Sequence, residues 1–175
     1  DGDLVGEVRG GLDPVGHSPV AELSVVSNDG ADTAGAEKPH REALKVKSLI
    51  DVGTGAGFPG VPLALYRPDC KLTLLDSLNK RLTFLETVCR EVSLPVTLIH
   101  ARAEEGGLNP DLREKYDVAC ARAVAALPTL SEYCLPFVKV GGKFIALKGP
   151  DADRERAEAS RGIGVLGGKI ANVTA

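Results

Sequence analysis

Residues 51–60 read Asp51-Val-Gly-Thr-Gly-Ala-Gly-Phe-Pro-Gly60, and inside them Gly55-Ala-Gly57-Phe-Pro-Gly60 matches the G-x-G-x-x-G pattern of dinucleotide-binding folds. The pattern is weak until its setting is known. An apolar run at 48–53 leads into it and predicts a strand. Pro59 then suits the first turn of a helix, where its missing N–H has no partner to lose. A strand, a glycine turn and a helix therefore follow in order, and Gly53, Gly55 and Gly57 sit where a ligand can approach bare backbone.

Working outward, short apolar runs alternate with segments of helical period, the mark of β-α-β units on a parallel sheet. Strands are expected at 48–53, 71–76, 95–99, 116–121 and 143–148. Helices are expected at 59–66, 78–92, 103–106 with 110–115, and 127–138. In the second helix Leu78, Leu82, Leu85 and Val88 recur at three- and four-residue spacing, which buries one face. Right-handed crossovers make this array doubly wound, with its ligand crevice at the carboxyl ends of the strands. Beyond Lys148 the charged run Asp151–Glu158 reads as a solvated helix face, and Lys169–Thr174 as a new strand.

Residues 1–47 differ in character. They hold 7 glycines, 3 prolines and 9 acidic against 5 basic residues, and no period persists. An irregular or weakly ordered leader is expected, with a short strand near 22–27, ahead of an α/β domain over 48–175. The leader carries a net charge of −4 out of −3 for the chain, so 48–175 is close to neutral. With 43% apolar and 26% charged residues the composition is that of a globular domain, without a membrane span or secretory signal, and a cytoplasmic monomer is expected. Methionine is absent even at position 1, so the chain reads as a piece of a longer protein. The four cysteines, Cys70, Cys89, Cys120 and Cys134, show no C-x-x-C spacing, and buried reduced thiols are expected rather than a metal site.

The residues after each strand narrow the ligand. Asp76 ends the second predicted strand, 19 residues after Gly57, where a carboxylate accepts hydrogen bonds from the ribose hydroxyls of an adenosine. NAD and S-adenosylmethionine share that adenosine. Asp51, two residues before the first glycine, is unusual in a dinucleotide site and is expected to orient the loop or hold an ammonium group through water. Arg102-Ala-Glu-Glu105 follows the third strand and Cys120-Ala-Arg-Ala123 the fourth, where Arg122 offers a fixed cation for a carboxylate or phosphate.

Together, Asp51–Gly60, Leu74-Leu-Asp-Ser-Leu-Asn-Lys-Arg81, Arg102–Glu105, Ala121-Arg-Ala123 and Phe144-Ile-Ala-Leu-Lys-Gly149 resemble the RsmG (GidB) family of bacterial small-subunit ribosomal RNA guanine-N7 methyltransferases. The resemblance runs from about Ser48 to Gly168. It implies a Rossmann-like class I methyltransferase fold, α/β with a mostly parallel sheet and helices on both faces, ending in an antiparallel strand pair that this chain cuts short. It also implies S-adenosyl-L-methionine as donor and a guanine of 16S rRNA, in the small ribosomal subunit, as acceptor. Its implied donor contacts are Gly53, Gly55 and Phe58 in the loop, Asp76 at the ribose, Ala103 and Glu104 at the adenine, and Arg122 near the methionine. Lys80, Arg81 and Lys148 become RNA-facing candidates.

Guanine N7 carries an exposed lone pair in the neutral base, so no general base is needed, and positioning alone carries the expected mechanism. Arg122 is the one side chain considered for a direct catalytic part. His17, His40 and His100 form no cluster, and His100 is expected to be structural. Two alternatives stand beside this reading: an NAD-dependent oxidoreductase, favoured by the glycine pattern and Asp76, and an inactive cofactor- or RNA-binding remnant.

Overall fold

Alternating side chains of a strand point to opposite faces of a sheet, so a strand covered on both sides must be apolar at every position. The central strands of this protein meet that condition except at the buried polar residues Asp51, Thr73 and Asp76. The computed structural model describes residues 21–27, 46–149 and 151–174. In chain order they form β1 (Ala21–Ser27), β2 (Ser48–Val52), α1 (Gly60–Tyr66), β3 (Lys71–Asp76), α2 (Asn79–Glu91), β4 (Val96–His100), α3 (Ala103–Leu108), β5 (Tyr116–Arg122), α4 (Leu127–Cys134), β6 (Val138–Lys148), α5 (Ala152–Val165) and β7 (Gly168–Thr174).

The strands lie in the order β4-β3-β2-β5-β6-β1-β7, and every pairing is parallel. Period two sorts the core into two layers. Leu49, Leu72, Leu74, Val118 and Cys120 pack with Val61, Ala64, Leu82 and Leu85 of α1 and α2. Ile50, Val52, Leu75, Ala119 and Ala121 pack with Leu127, Leu130, Phe137, Ala159 and Ile163 on the other face. The chain runs outward from β2 to β4, then returns to β5 on the other flank of β2. That reversal opens the switch point between β2 and β5.

The five predicted core strands and the helices after them are present, with three corrections. Residues 110–115 form turns instead of a helix: the Asn109 side chain accepts the Asp111 N–H at 2.9 Å, and Glu114 takes a φ of 54°. The helix expected over 127–138 stops at Cys134 and gives way to a 3-10 turn, Leu135–Phe137, because Pro136 has no N–H for the helical ladder. β6 therefore starts at Val138, not 143, and absorbs its extra length in a register shift opposite Tyr116–Val118.

The end of the sheet departs further from expectation. The charged run expected as a helix face is the N-cap and first turns of α5, which returns the chain to β7, paired in parallel with β1. The strand near 22–27 exists as β1 and lies between β6 and β7. The remaining expectations for the leader fall on residues outside those described. All four cysteines are free and buried, as expected, and burial pushes each thiol up. Among the described residues, no helix is long and apolar enough to cross a membrane.

Candidate functional site

Asp51 shares a side of β2 with Leu49, which aims it under the start of α1, and it is fully buried. Its Oδ2 accepts the Gly60 N–H and the Thr54 hydroxyl, each at 2.9 Å. One carboxylate thus ties both ends of the glycine turn. Burial pushes its carboxyl up, against the hydrogen bonds from Gly60 and Thr54 that lower it. Of the two roles expected for Asp51, the arrangement serves the first, loop orientation. A Cβ at Gly60 would stand 2.8 Å from Asp51 Cβ and Oδ2, so only glycine lets the helix come this close.

Gly53 turns the chain out of β2 at a φ of +68°, and its N–H donates to Leu75 O at 2.8 Å. A Cβ there would meet Val124 at 2.8 Å, so glycine lets the turn after β2 lie against the turn after β5. Asp76, only 2% exposed, ends β3 beside this turn. Its Oδ2 accepts the Gly55 N–H at 3.0 Å and its Oδ1 the Leu78 N–H at 2.9 Å. Arg81 Nη1 lies 3.3 Å from Oδ2. The turn after β2 and the entry to α2 are both fastened to the one carboxylate.

A cavity of about 370 Å³ opens at these carboxyl ends. Val52 and Gly53 from β2, Leu75–Ser77 from β3, Ala101–Glu104 from β4 and Ala123–Val124 from β5 line it, together with Arg81 and Tyr133. The turn after β4 divides its acids: Glu105 caps its own helix by accepting the Arg102 N–H at 3.4 Å, while Glu104 is left to the cavity. Tyr133 was missed by the sequence reading. It lies at the border of α4's buried face, and the nearby Glu104 charge pushes its phenol up. Its signal was present, since a helix bordering the crevice carries a tyrosine one residue from a buried position.

The expected site residues separate into groups. Gly53, Asp76, Ala103 and Glu104 meet in the cavity, with Gly55 bound to Asp76 behind them. Phe58 and Arg122 meet each other instead: the Arg122 guanidinium carbon stands 5.4 Å from the Phe58 ring centroid, next to the cavity but outside its lining. Arg81, an RNA candidate from sequence, lines the cavity. Lys80 is exposed on α2. Lys148 corrects its sequence reading, because its side chain is only 8% exposed and no surface cation. Its Nζ lies 2.8 Å from both Glu155 Oε2 and Ala125 O, and the same Glu155 oxygen accepts the Leu127 N–H. His100, expected to be structural, has Nε2 3.0 Å from Ser77 O.

A glycine turn at the switch point, an acid ending the next strand and a cavity between them belong to the Rossmann-like nucleotide-binding folds, of which the class I methyltransferases are one class. A solved structure of the same fold is the ribosomal protein L11 methylase from Lactobacillus delbrueckii subsp. bulgaricus, 18% identical, with a TM-score of 0.53 over 72% of this chain and 62% of that one. The chain belongs to the GidB family, rRNA small subunit methyltransferase G, whose model matches residues 38–175. It is 57% identical over 135 residues to Ribosomal RNA small subunit methyltransferase G of Clostridium beijerinckii, covering 76% of this chain and 56% of that protein. The protein of the same name from Alkaliphilus oremlandii is 60% identical over 123 residues, covering 70% and 52%. The chain thus spans about half the length of the curated relatives it matches.

Proposed function

We propose that this chain forms the donor-binding and methyl-transferring part of an enzyme that methylates N7 of a guanine in 16S ribosomal RNA, with S-adenosyl-L-methionine as donor. One observation carries the reading: in a member of this family, the buried Asp76 carboxylate stands in the wall of a cavity at the switch point. The residues fit the donor. Asp76 would accept from ribose hydroxyls, and Gly53 leaves space against Val124 that a side chain would fill. Ala103 and Glu104 offer a backbone and a carboxylate to an adenine edge, with Tyr133 beside them.

Held by Gly53, Asp76, Ala103 and Glu104, the donor would supply a sulfonium methyl, transferable in line to the N7 lone pair with the S–C bond broken as the N7–C bond forms. The protein's part is orientation. Asp51 holds the glycine turn by hydrogen bonds to both of its ends, and Asp76 links that turn to β3. Holding two reactants at attack distance accounts for as much as roughly 7–11 kcal/mol of a barrier. No acid or base is required at the acceptor nitrogen, whose lone pair is free in the neutral base.

Calorimetric titration with S-adenosylmethionine and, separately, NAD tests the reading. Binding of the methyl donor is expected, and binding of NAD alone would overturn it. Asp76→Asn should weaken donor binding roughly tenfold or more, the loss that follows when a charge-assisted hydrogen bond worth ~1.5–3 kcal/mol becomes a neutral one. Methyl incorporation into undermodified small ribosomal subunits then separates an active enzyme from a binding remnant.

A further inference from the structure

The Asp76 carboxylate is nearly full before any ribose reaches it. A carboxylate offers about four acceptor sites. Oδ2 takes the Gly55 N–H at 3.0 Å and Arg81 Nη1 at 3.3 Å, and Oδ1 takes the Leu78 N–H at 2.9 Å. A grip on both ribose hydroxyls therefore requires one present donor to withdraw. The two backbone donors have fixed places, because the Gly55 N–H belongs to the turn that Asp51 ties down and the Leu78 N–H opens α2. Arg81 is free to leave. Its contact is the longest of the three, uses a single guanidinium nitrogen and comes from a side chain 52% exposed, against 2% for Asp76. Such a pair is weak and breaks readily. Arg81 lines the cavity, Lys80 stands exposed beside it, and among the described residues no second carboxylate pairs with it.

We propose that Arg81 exchanges partners as the site fills: it holds Asp76 in the free protein, yields that oxygen to the donor ribose, and turns to a backbone phosphate of the RNA. The proposal rests on the reading above that the site takes S-adenosylmethionine and acts on RNA. What goes beyond it is the coupling of the two ligands through one side chain. A guanidinium released at the rim of a cavity pairs with the nearest anion, and an RNA backbone supplies one at every nucleotide. Without donor, Asp76 competes with phosphate for the same cation, so the free protein holds RNA less firmly than the loaded one. Linkage makes the effect reciprocal, and bound RNA tightens the donor by the same factor.

S-adenosylhomocysteine serves as the probe of the donor site because it has no methyl to transfer. Its affinity is measured by calorimetry for the protein, Arg81→Met, Arg81→Lys and Lys80→Met, each checked for its thermal transition. Undermodified small-subunit RNA is then titrated at several salt concentrations with and without the probe. With the probe, the protein should bind RNA roughly fivefold more tightly or better. The slope of log affinity against log salt should steepen by about 0.7–0.9, the share of one phosphate contact. Arg81→Met should lose both the gain and the steepening, yet bind the probe at least as well and up to about fivefold more tightly. Arg81→Lys keeps the single charge that a one-nitrogen contact needs and should keep most of the steepening. Lys80→Met should lower RNA affinity equally with and without the probe. An equal gain in Arg81→Met, or a loss of probe affinity in that variant, would overturn the exchange. If the probe does not bind at all, the methyltransferase reading falls with it; if the probe binds and the slope does not change, the exchange alone falls.

Discussion

At Gly60 one hydrogen atom decides how close a helix comes to a sheet. Replacing it with a methyl would set carbon 2.8 Å from Asp51 Oδ2 and 3.0 Å from Leu74 Cδ2, so Asp51 must move and release Thr54 and the Gly60 N–H. Gly60→Ala is expected to cost about 1–3 kcal/mol, the usual range for overpacking. Denaturant unfolding would measure it, with reduced donor affinity alongside. The sequence shows Gly60 only as the last letter of a dinucleotide pattern. Its actual partner, Asp51, was legible as an unusual acid before the turn, and the two belong together because residue 51 faces the same layer as α1. Asp76 was read correctly in place, since an acid ending the strand after a glycine turn has few other positions to occupy.

Element lengths and pairings were legible wherever hydrophobic period fixed a face, as in β2, β3, β5 and α2. They were not legible where a charged residue turns inward. Lys148 and Glu155 look like surface residues in sequence because each sits in a polar stretch, yet β6 and α5 bring them together over the N-terminus of α4. The pair anchors the turn that carries Ala123 and Val124 to the cavity through Ala125 O and the Leu127 N–H. Glu155→Ala leaves the Lys148 charge in a nearly buried site and should cost about 3 kcal/mol, whereas replacing both residues with apolar ones should recover most of that. A double-mutant cycle read by urea unfolding measures the coupling. Two equal, additive losses would show that the pair does not act as a unit.

Across the whole molecule the two ends of the sheet have different tasks. The carboxyl ends hold the cavity, and the amino ends hold a stability lock at Asp117. Burial by itself would raise that carboxyl, but hydrogen bonds from Lys139, the Lys47 N–H and Ser48 outweigh it and bring it down to about 2. A carboxylate with a depressed folded-state pKa contributes stability above its unfolded value near 4, and that contribution is lost as pH falls toward 2. The loss should amount to about 2 kcal/mol, and Asp117→Asn should flatten the acid limb of a pH–stability curve. Glu155, also held below the usual carboxylate range, should add to the same limb. At the far flank, β1 pairs with β6 on one side and β7 on the other. Val25→Pro removes an N–H from the middle of that strand and should cost roughly 1–3 kcal/mol for the carbonyl left without a donor. A lowered thermal midpoint is the expected observation, and an unchanged one would mean that β1 contributes nothing to the fold.

That flank also sets a timetable. A ribosome delivers Ala21–Ser27 before the other described strands, yet Glu22 finds its first neighbour at Lys143, roughly 120 residues later, and its second at Lys169. Among the described strands, β1 is made before both of its neighbours and is enclosed only when they arrive. During synthesis it must wait as a bare ribbon while the inner strands assemble, so translation speed and chaperone capture bear on this protein more than its size suggests.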